Sequence, residues 1–172
     1  RKITYMRAKA FLFVLCGILL LGACGTPKTG GTIYNIMDYG AKGDGVTDDA
    51  AAIQAAIDQC SKSGGGTVLV PAGRTFMCSP FHLASFVELH LEPNSCLLAN
   101  PDEAAYTLSA FRDNRGEGMM WIYGQDLKEV SITGTGAIDG NGVSFMGKEL
   151  EDSYELKPVT DFDPRPHVLT LI

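Results

Sequence analysis

The residues of this chain that could do chemistry are a few carboxylates and histidines. Asp48 and Asp49 are adjacent, and paired carboxylates are residue types that general acid–base hydrolysis uses. They follow Gly-Val-Thr and precede a run in which apolar residues recur at helical spacing. This arrangement is typical of the start of a helix. Thr47 predicts the N-cap, and both acids would lie in the first turn, where the helix dipole favours negative charge. We therefore interpret Asp48 and Asp49 as structural residues.

The remaining candidates are scattered. Asp139 ends a strand-like run in Ile-Asp-Gly, which predicts a side chain that stabilises a turn. His82, His90 and His167 are isolated, and no nucleophile, base and carboxylate pattern surrounds them. The alternation of apolar and polar residues at 87–91 predicts that His90 faces solvent. No catalytic residue is assigned among them.

Neither a metal nor a cofactor is predicted. Cys60, Cys78 and Cys96 lack the paired spacing of zinc ligands, so we expect buried thiols, and one disulfide stays open as an alternative. The run Gly64-Gly65-Gly66 follows a helix and lacks the Lys-Ser/Thr of a phosphate-binding loop.

One helix is predicted over residues 48–62, ahead of a series of short strands. Ile53, Ala56, Ile57 and Cys60 fall at i, i+3, i+4 and i+7, which puts them on one apolar face, and a glycine run then ends the helix. Such a helix could cap the open end of a stack of strands.

Beyond the helix the period changes to two, and short strands are separated by turn residues. Val87–His90 and Val130–Thr133 are weak copies of one unit, each followed by a second apolar step at Leu97 or Ile138. Weak repeats of short strands favour a β-helix, with a β-sandwich as the rival fold. Residues 101–126 and 141–164 would then be loops between coils, and His167–Ile172 would begin a further strand.

The first residues predict export. Basic residues precede an apolar run from Ala10 to Ala23, shorter than the about 20 residues that span a bilayer. The run ends in Leu-Gly-Ala-Cys, which resembles a bacterial lipobox with Cys24 as the lipidated residue. We predict a lipoprotein-type signal peptide at 1–23, a tether at 24–32, and one β-helix domain from 33 to 172.

The charge of the chain excludes nucleic acid as a partner. The net charge is −6, and removing the four basic residues of the leader from the 14 present leaves 10 against 20 acids. Phosphate contacts need clustered Lys and Arg. We expect a membrane contact only through a lipid at Cys24.

Four segments resemble the pectin-lyase-like β-helix superfamily, and within it most closely glycoside hydrolase family 28. These segments are Tyr39–Asp49 with Ile53–Ile57, Gly64–Gly73, Gly134–Gly142, and Arg165-Pro166. The first two occur across the superfamily and support the fold, whereas the last two are more typical of family 28. The resemblance implies an all-β, right-handed parallel β-helix with an N-terminal capping α-helix.

The resemblance also implies a reaction, the inverting hydrolysis of α-1,4-galacturonan or rhamnogalacturonan by carboxylates. The family's catalytic groups come in Asn-Thr-Asp, Gly-Asp-Asp, His-Gly and Arg-Ile-Lys motifs, and none of the four occurs in this sequence. We therefore expect the 172 residues to be the N-terminal part of a longer exported hydrolase, inactive alone and monomeric when complete.

Two other functions stay open, a pectate-lyase-like enzyme and a non-catalytic glycan-binding module. Trp121 and Tyr123 could stack on sugar rings or pack within a loop. Arg165 precedes a proline, and pairing with a carboxylate of the stack is favoured over contact with substrate.

Overall fold

The computed structural model describes residues 31–110, 118–149, 156–158 and 165–172. In chain order its strands are β1 Ile33–Asn35, β2 Asp44–Asp48, β3 Gly66–Val70, β4 Thr75–Cys78, β5 Phe81–His82, β6 Val87–Leu91, β7 Cys96–Ala99, β8 Met120–Gly124, β9 Ser131–Gly134, β10 Ala137–Asp139, β11 Met146–Glu149, β12 Leu156–Pro158 and β13 His167–Leu171. The helix α1 spans Ala50–Lys62, and 3-10 turns lie at Ile36–Tyr39, Glu103–Ala105 and Gly142–Phe145.

Three parallel sheets are stacked around one core. Sheet A has the strand order β1-β3-β6-β9, sheet B β2-β4-β7-β10, and sheet C β5-β8-β13. The chain visits sheets A, B and C in turn and then starts the next coil. Because parallel crossovers are right-handed, this order gives a right-handed parallel β-helix. The parallel pairing is incompatible with the sandwich considered as the rival fold.

The two sequence units predicted to be copies of each other lie side by side. Leu89 pairs with Ile132 in sheet A, and Leu97 pairs with Ile138 in sheet B. Each pair stacks an apolar side chain of one coil on its equivalent in the next. The shortest coil repeats after 21 residues, the separation of the paired Thr67 and Glu88.

The helix α1 covers the first coil, as the sequence predicts. It follows β2 and precedes β3, so it takes the place that a strand of sheet C holds in later coils. Its apolar face is buried and joins the core through Ala52, Ile53, Ala56, Ile57 and Cys60. Fully burying an isoleucine stabilises by about 1.5–3 kcal/mol.

The predicted helix start is wrong by two residues. The helix begins at Ala50, Thr47 and Asp48 belong to β2, and the N-cap residue Asp49 makes no side-chain capping bond. Thr47 is not the cap because its hydroxyl and backbone N–H both donate to Asp44, each over 2.7 Å. These bonds hold the pKa of the exposed Asp44 carboxyl down at about 2.

Several strands lack a readable pattern and were not predicted. β4 and β5 are short, and β8 lies within residues predicted to be a loop. Met120, Trp121 and Ile122 of β8 are all buried, so both faces of the strand are covered and no alternation appears. The antiparallel pair β11–β12 also falls in a predicted loop, whereas β13 confirms the strand predicted at the end of the sequence.

The three cysteines of the domain are free thiols in the structure. Cys60 and Cys78 are buried and Cys96 is half-buried, which agrees with their predicted use as small apolar residues. Burial raises the pKa of the Cys60 thiol.

The predicted signal peptide at 1–23, the lipid site Cys24 and most of the tether lie outside the described residues. Within the described ranges, no helix has the length and apolar character needed to cross a membrane.

Candidate functional site

Both long connections of the described stack leave sheet B and enter sheet C. One runs from the end of β7 at Ala99 to Met120 of β8, and the other from Asp139 of β10 to His167 of β13. Their ends place them at the same corner, beside the outer face of sheet C. Long loops on a rigid scaffold are where binding residues concentrate, so this face is the candidate site.

The two connections pack against each other near their starts. The ring of Tyr106 lies edge-on against Phe145, with centroids 5.6 Å apart, and both side chains are buried. The Tyr106 hydroxyl donates to the carbonyl of Asn100 over 2.8 Å, and burial raises the Tyr106 pKa. The two connections therefore support each other and the corner from which they leave.

A polar ladder across four coils forms that corner. The Asn100 amide donates to Ser79 Oγ over 3.0 Å, and Ser79 donates its N–H and hydroxyl to the Asp48 carboxylate. In the next coil, the amide of Asn141 donates to the carbonyl of Ala99 over 3.0 Å. Burial acts to raise the pKa of Asp48, but the hydrogen bonds from Ser79 outweigh it and the pKa is lowered.

The floor of the site is the outer face of sheet C. His82 of β5 pairs with Tyr123 of β8, which pairs with Thr170 of β13. The imidazole and phenol rings lie 6.0 Å apart, centroid to centroid, at 44°. The Thr170 hydroxyl is buried and has no hydrogen-bond partner in the part of the chain that the structure describes.

The helix α1 extends this row with polar side chains. The backbone N–H of His82 donates to Gln54 Oε1 over 2.9 Å, which fixes the orientation of the amide. The amide nitrogen then faces His82 Nε2 at 3.1 Å and donates to Asp58 Oδ1 over 2.9 Å. The same nitrogen donates to the carbonyl of His82 over 3.3 Å, so Gln54 ties β5 to the helix.

A cavity of about 320 Å³ opens onto this floor. His82, Tyr123 and Gln125 supply its polar groups, and its other side chains are apolar. A larger cavity of about 570 Å³ lies under Leu169 and Leu171, at the apolar edge of the last described coil. We place the site at the smaller cavity, because aromatic and polar groups converge there on an apolar pocket, which is typical of ligand sites.

A second polar patch lies on the outer face of sheet A. Glu88 accepts from the hydroxyls of Thr133 and Thr67, over 2.6 and 3.0 Å, and these bonds lower its pKa. His90 Nδ1 lies 2.7 Å from Thr133 Oγ1. His90 is half-buried in this network rather than simply facing solvent. The patch ties three coils together, which is a structural role.

The structure supports the structural interpretation of the acids. Asp49 is 2% exposed, and its carboxylate accepts the backbone N–H groups of Lys42 and Gly43 over 2.6 and 3.0 Å. Asp139 accepts the N–H of Asn141 over 2.8 Å, which is the predicted turn contact. Arg165 is exposed and His167 lies in β13. Neither belongs to the row of His82, Tyr123 and Thr170 on sheet C.

The two aromatic candidates have different environments. Trp121 is fully buried, and its indole N–H donates to the carbonyl of Cys78 over 2.9 Å, so it packs in the fold and cannot stack on a ligand. Tyr123 is half-buried and lines the cavity. The sequence did not indicate His82 as its neighbour, because the pairing of β5 with β8 spans a long connection. Nor did it indicate Gln54 or Asp58, which carry no motif.

Comparisons with known proteins agree with this architecture. A family model described as "Rhamnogalacturonase A/epimerase, pectate lyase-like" matches residues 33–109. Alginate lyase 7 of Azotobacter vinelandii is 68% identical over 40 residues, 23% of this chain and 5% of that protein. A "Probable polygalacturonase" of Vitis vinifera is 33% identical over 120 residues, 63% of this chain and 24% of that protein.

Two solved structures are similar at the level of the fold and the sequence. A hyperthermoactive exopolygalacturonase of Thermotoga maritima is 34% identical with a TM-score of 0.57, covering 64% of this chain and 25% of that one. A family 28 exopolygalacturonase of Yersinia enterocolitica is 31% identical with a TM-score of 0.56, covering 65% and 21%. The chain thus spans about a quarter or less of these relatives.

Three coiled parallel sheets and a capping helix define a right-handed parallel β-helix protein. These similarities support the assignment of the chain to the pectin-lyase-like superfamily, in the group that contains glycoside hydrolase family 28. The polygalacturonases to which it is similar are glycoside hydrolases of pectic polysaccharide.

Proposed function

We propose that the protein is a glycoside hydrolase of polygalacturonase type that acts on pectic polysaccharide by inverting carboxylate catalysis. The observation that carries this proposal is the sequence identity to polygalacturonases, 33% over 120 residues and 34% and 31% to two solved structures. The outer face of sheet C, where His82 and Tyr123 line a cavity, offers a place for the polymer.

Within these 172 residues the contribution is substrate binding. None of the four catalytic motifs of the family occurs in the sequence. The acids with a lowered pKa, Asp44, Asp48 and Glu88, all accept hydrogen bonds that stabilise the fold. A general acid needs the opposite, a carboxyl whose pKa is raised toward the working pH.

The experiment separates binding from cleavage. The 172-residue chain is mixed with polygalacturonate and, separately, with methyl-esterified pectin, and retention in an affinity gel of each polymer and release of reducing ends are measured. We expect retention without release from this chain, and release without an ultraviolet-absorbing product from the complete gene product. A complete gene product that releases no reducing ends would contradict the hydrolase proposal.

A second candidate is a lyase or epimerase. It is favoured by one observation, the 68% identity to alginate lyase 7 over 40 residues. A lyase leaves an unsaturated, ultraviolet-absorbing end, and an epimerase releases no ends at all. The same assay, run on polygalacturonate and on alginate, distinguishes a hydrolase from a lyase, and proton NMR of the recovered polymer detects an epimerase.

We also propose that the protein is exported and anchored by a lipid at Cys24. The supporting observation is Leu21-Gly22-Ala23-Cys24 at the end of an apolar run with basic residues before it. Labelling with a radioactive fatty acid in a bacterial host should mark the wild-type chain. Cys24→Ala should carry no label, whereas Cys16→Ala should keep it. Label retained on Cys24→Ala would exclude this anchor.

A further inference from the structure

The cavity on the floor of sheet C has the walls of a subsite for an uncharged sugar unit. Its volume of about 320 Å³ is at the lower end for ligand sites. Leu83, Leu108 and Met120 line it, together with the ring of Tyr123. Apolar walls beside an aromatic ring favour the C–H face of a sugar or a methyl group, and they do not solvate a carboxylate.

The imidazole at the rim is held in place by α1. Gln54 Nε2 lies 3.1 Å from His82 Nε2 and donates to the His82 carbonyl over 3.3 Å, and the backbone N–H of His82 donates to Gln54 Oε1 over 2.9 Å. His82 is therefore fixed at the rim, where its ring can exchange hydrogen bonds with the hydroxyls of a sugar unit.

Asp58, beside the rim, disfavours an anionic sugar unit there. Asp58 Oδ1 lies 3.8 Å from His82 Nε2. A uronate carboxylate brought against the outer side of His82 would face the like charge of Asp58, which is unfavourable. Among the described residues that line the cavity, none is Lys or Arg.

Resting on the proposed function, we propose that this cavity binds an uncharged unit of the pectic chain, such as a galacturonate whose carboxyl is methyl-esterified. Tyr123 supplies the stacking ring, and Leu108 and Met120 contact the ester methyl. His82 exchanges hydrogen bonds with ring hydroxyls. The subsite would direct the protein to esterified or neutral stretches of the polymer.

The test compares two probes, fully methyl-esterified trigalacturonate and free trigalacturonate. Binding to the full chain is measured by calorimetry at two salt concentrations. We expect the ester to bind at least about tenfold more tightly, with little dependence on salt because no ion pair is involved. Tyr123→Ala should weaken ester binding about three- to tenfold, the range for one aromatic contact. Phe86→Ala removes an exposed aromatic from another corner of the stack and should leave it unchanged.

A second variant keeps the test informative if Tyr123→Ala unfolds. Leu108→Ala shortens a partly exposed side chain of the apolar wall, so it should fold and should weaken ester binding about fourfold, the effect of losing one methylene contact. Tighter binding of the free acid, lost on adding salt or in His82→Gln, would overturn the uncharged subsite and leave the proposed function standing. Ester binding that both Tyr123→Ala and Leu108→Ala leave intact would also overturn it. Binding of neither probe would contradict the pectic function itself.

Discussion

At the scale of single residues, three acids near the start of the stack act through hydrogen bonds from backbone N–H groups. Asp44, Asp48 and Asp49 lie within six positions, and each accepts a different set of N–H groups. The sequence predicted that Asp48 and Asp49 are structural, but not their partners. Those partners include Ser79, which a local pattern cannot locate because it lies 31 residues away.

Removing the Asp49 carboxylate should strongly destabilise the fold. It is buried and holds the N–H groups of Lys42 and Gly43. Hydrogen bonds to a charged group contribute about 1.5–3 kcal/mol, and the orphaned donors add a desolvation cost. We expect Asp49→Ala to lower the free energy of unfolding in urea by about 3 kcal/mol. Asp38→Ala, an exposed acid nearby, is the control and should change it by less than about 0.5 kcal/mol. Equal effects of the two variants would contradict this role.

Glu88 should make the stability depend on pH in the acid range. Hydrogen bonds from Thr133 and Thr67 lower its pKa below the usual 4.5. Its stabilising contribution is therefore complete above the unfolded-state pKa and is lost as pH falls through the folded-state value. We expect Glu88→Gln to lose less stability than wild type when the pH is lowered from about 5 to about 3, measured by urea unfolding. Glu103→Gln is the exposed control. Parallel pH profiles for wild type and Glu88→Gln would exclude the linkage.

At the scale of elements, the sequence predicted the helices and strands whose apolar residues recur with a regular spacing. The apolar face of α1 and the alternation at 87–91 are local signals, and both are confirmed. The strand β8 could not be predicted, because Met120, Trp121 and Ile122 are all buried and no alternation marks the strand in the sequence. The row of His82 and Tyr123 was missed because the two strands are separated by a long connection.

The corner after β9 requires glycine for a reason that can be tested. Gly134 has φ of +98°, and a Cβ there would collide with the backbone of Leu91. Gly73 has φ of +70°, and nothing lies within 4 Å of its Cβ position. Gly73→Ala should cost about 1–2 kcal/mol from the left-handed backbone alone. Gly134→Ala should cost more than twice as much, because the adjoining coil must also move. The midpoints of thermal unfolding of both variants are compared with that of the wild type. Equal shifts would mean that the collision at Gly134 is relieved without cost.

At the scale of the whole molecule, each coil is stabilised by the coils next to it. In a solenoid each repeat contacts only its neighbours, so a local change weakens the adjacent coil most. The polar network at the corner between sheets B and C and the polar patch on the outer face of sheet A each cross several coils. The core begins under α1 and continues through the sheets as one cluster. Weakening the capping helix α1 should therefore lower the stability of the coils next to it and leave the far end of the stack unchanged.

Ile53→Ala tests how far the influence of the cap extends. Ile53 is fully buried in α1, and removing its side-chain bulk from a packed core costs about 2–5 kcal/mol. Because the first coil lies directly under the helix, amide hydrogen exchange in β1 and β3 should accelerate at least about tenfold. Exchange in β9 and β13, several coils away, should change by less than about twofold, since only neighbouring repeats share the lost contacts. Gln59→Ala, on the exposed face of the same helix, should leave both regions unchanged. A uniform acceleration in all strands after Ile53→Ala would mean that the stack opens as a single cooperative unit.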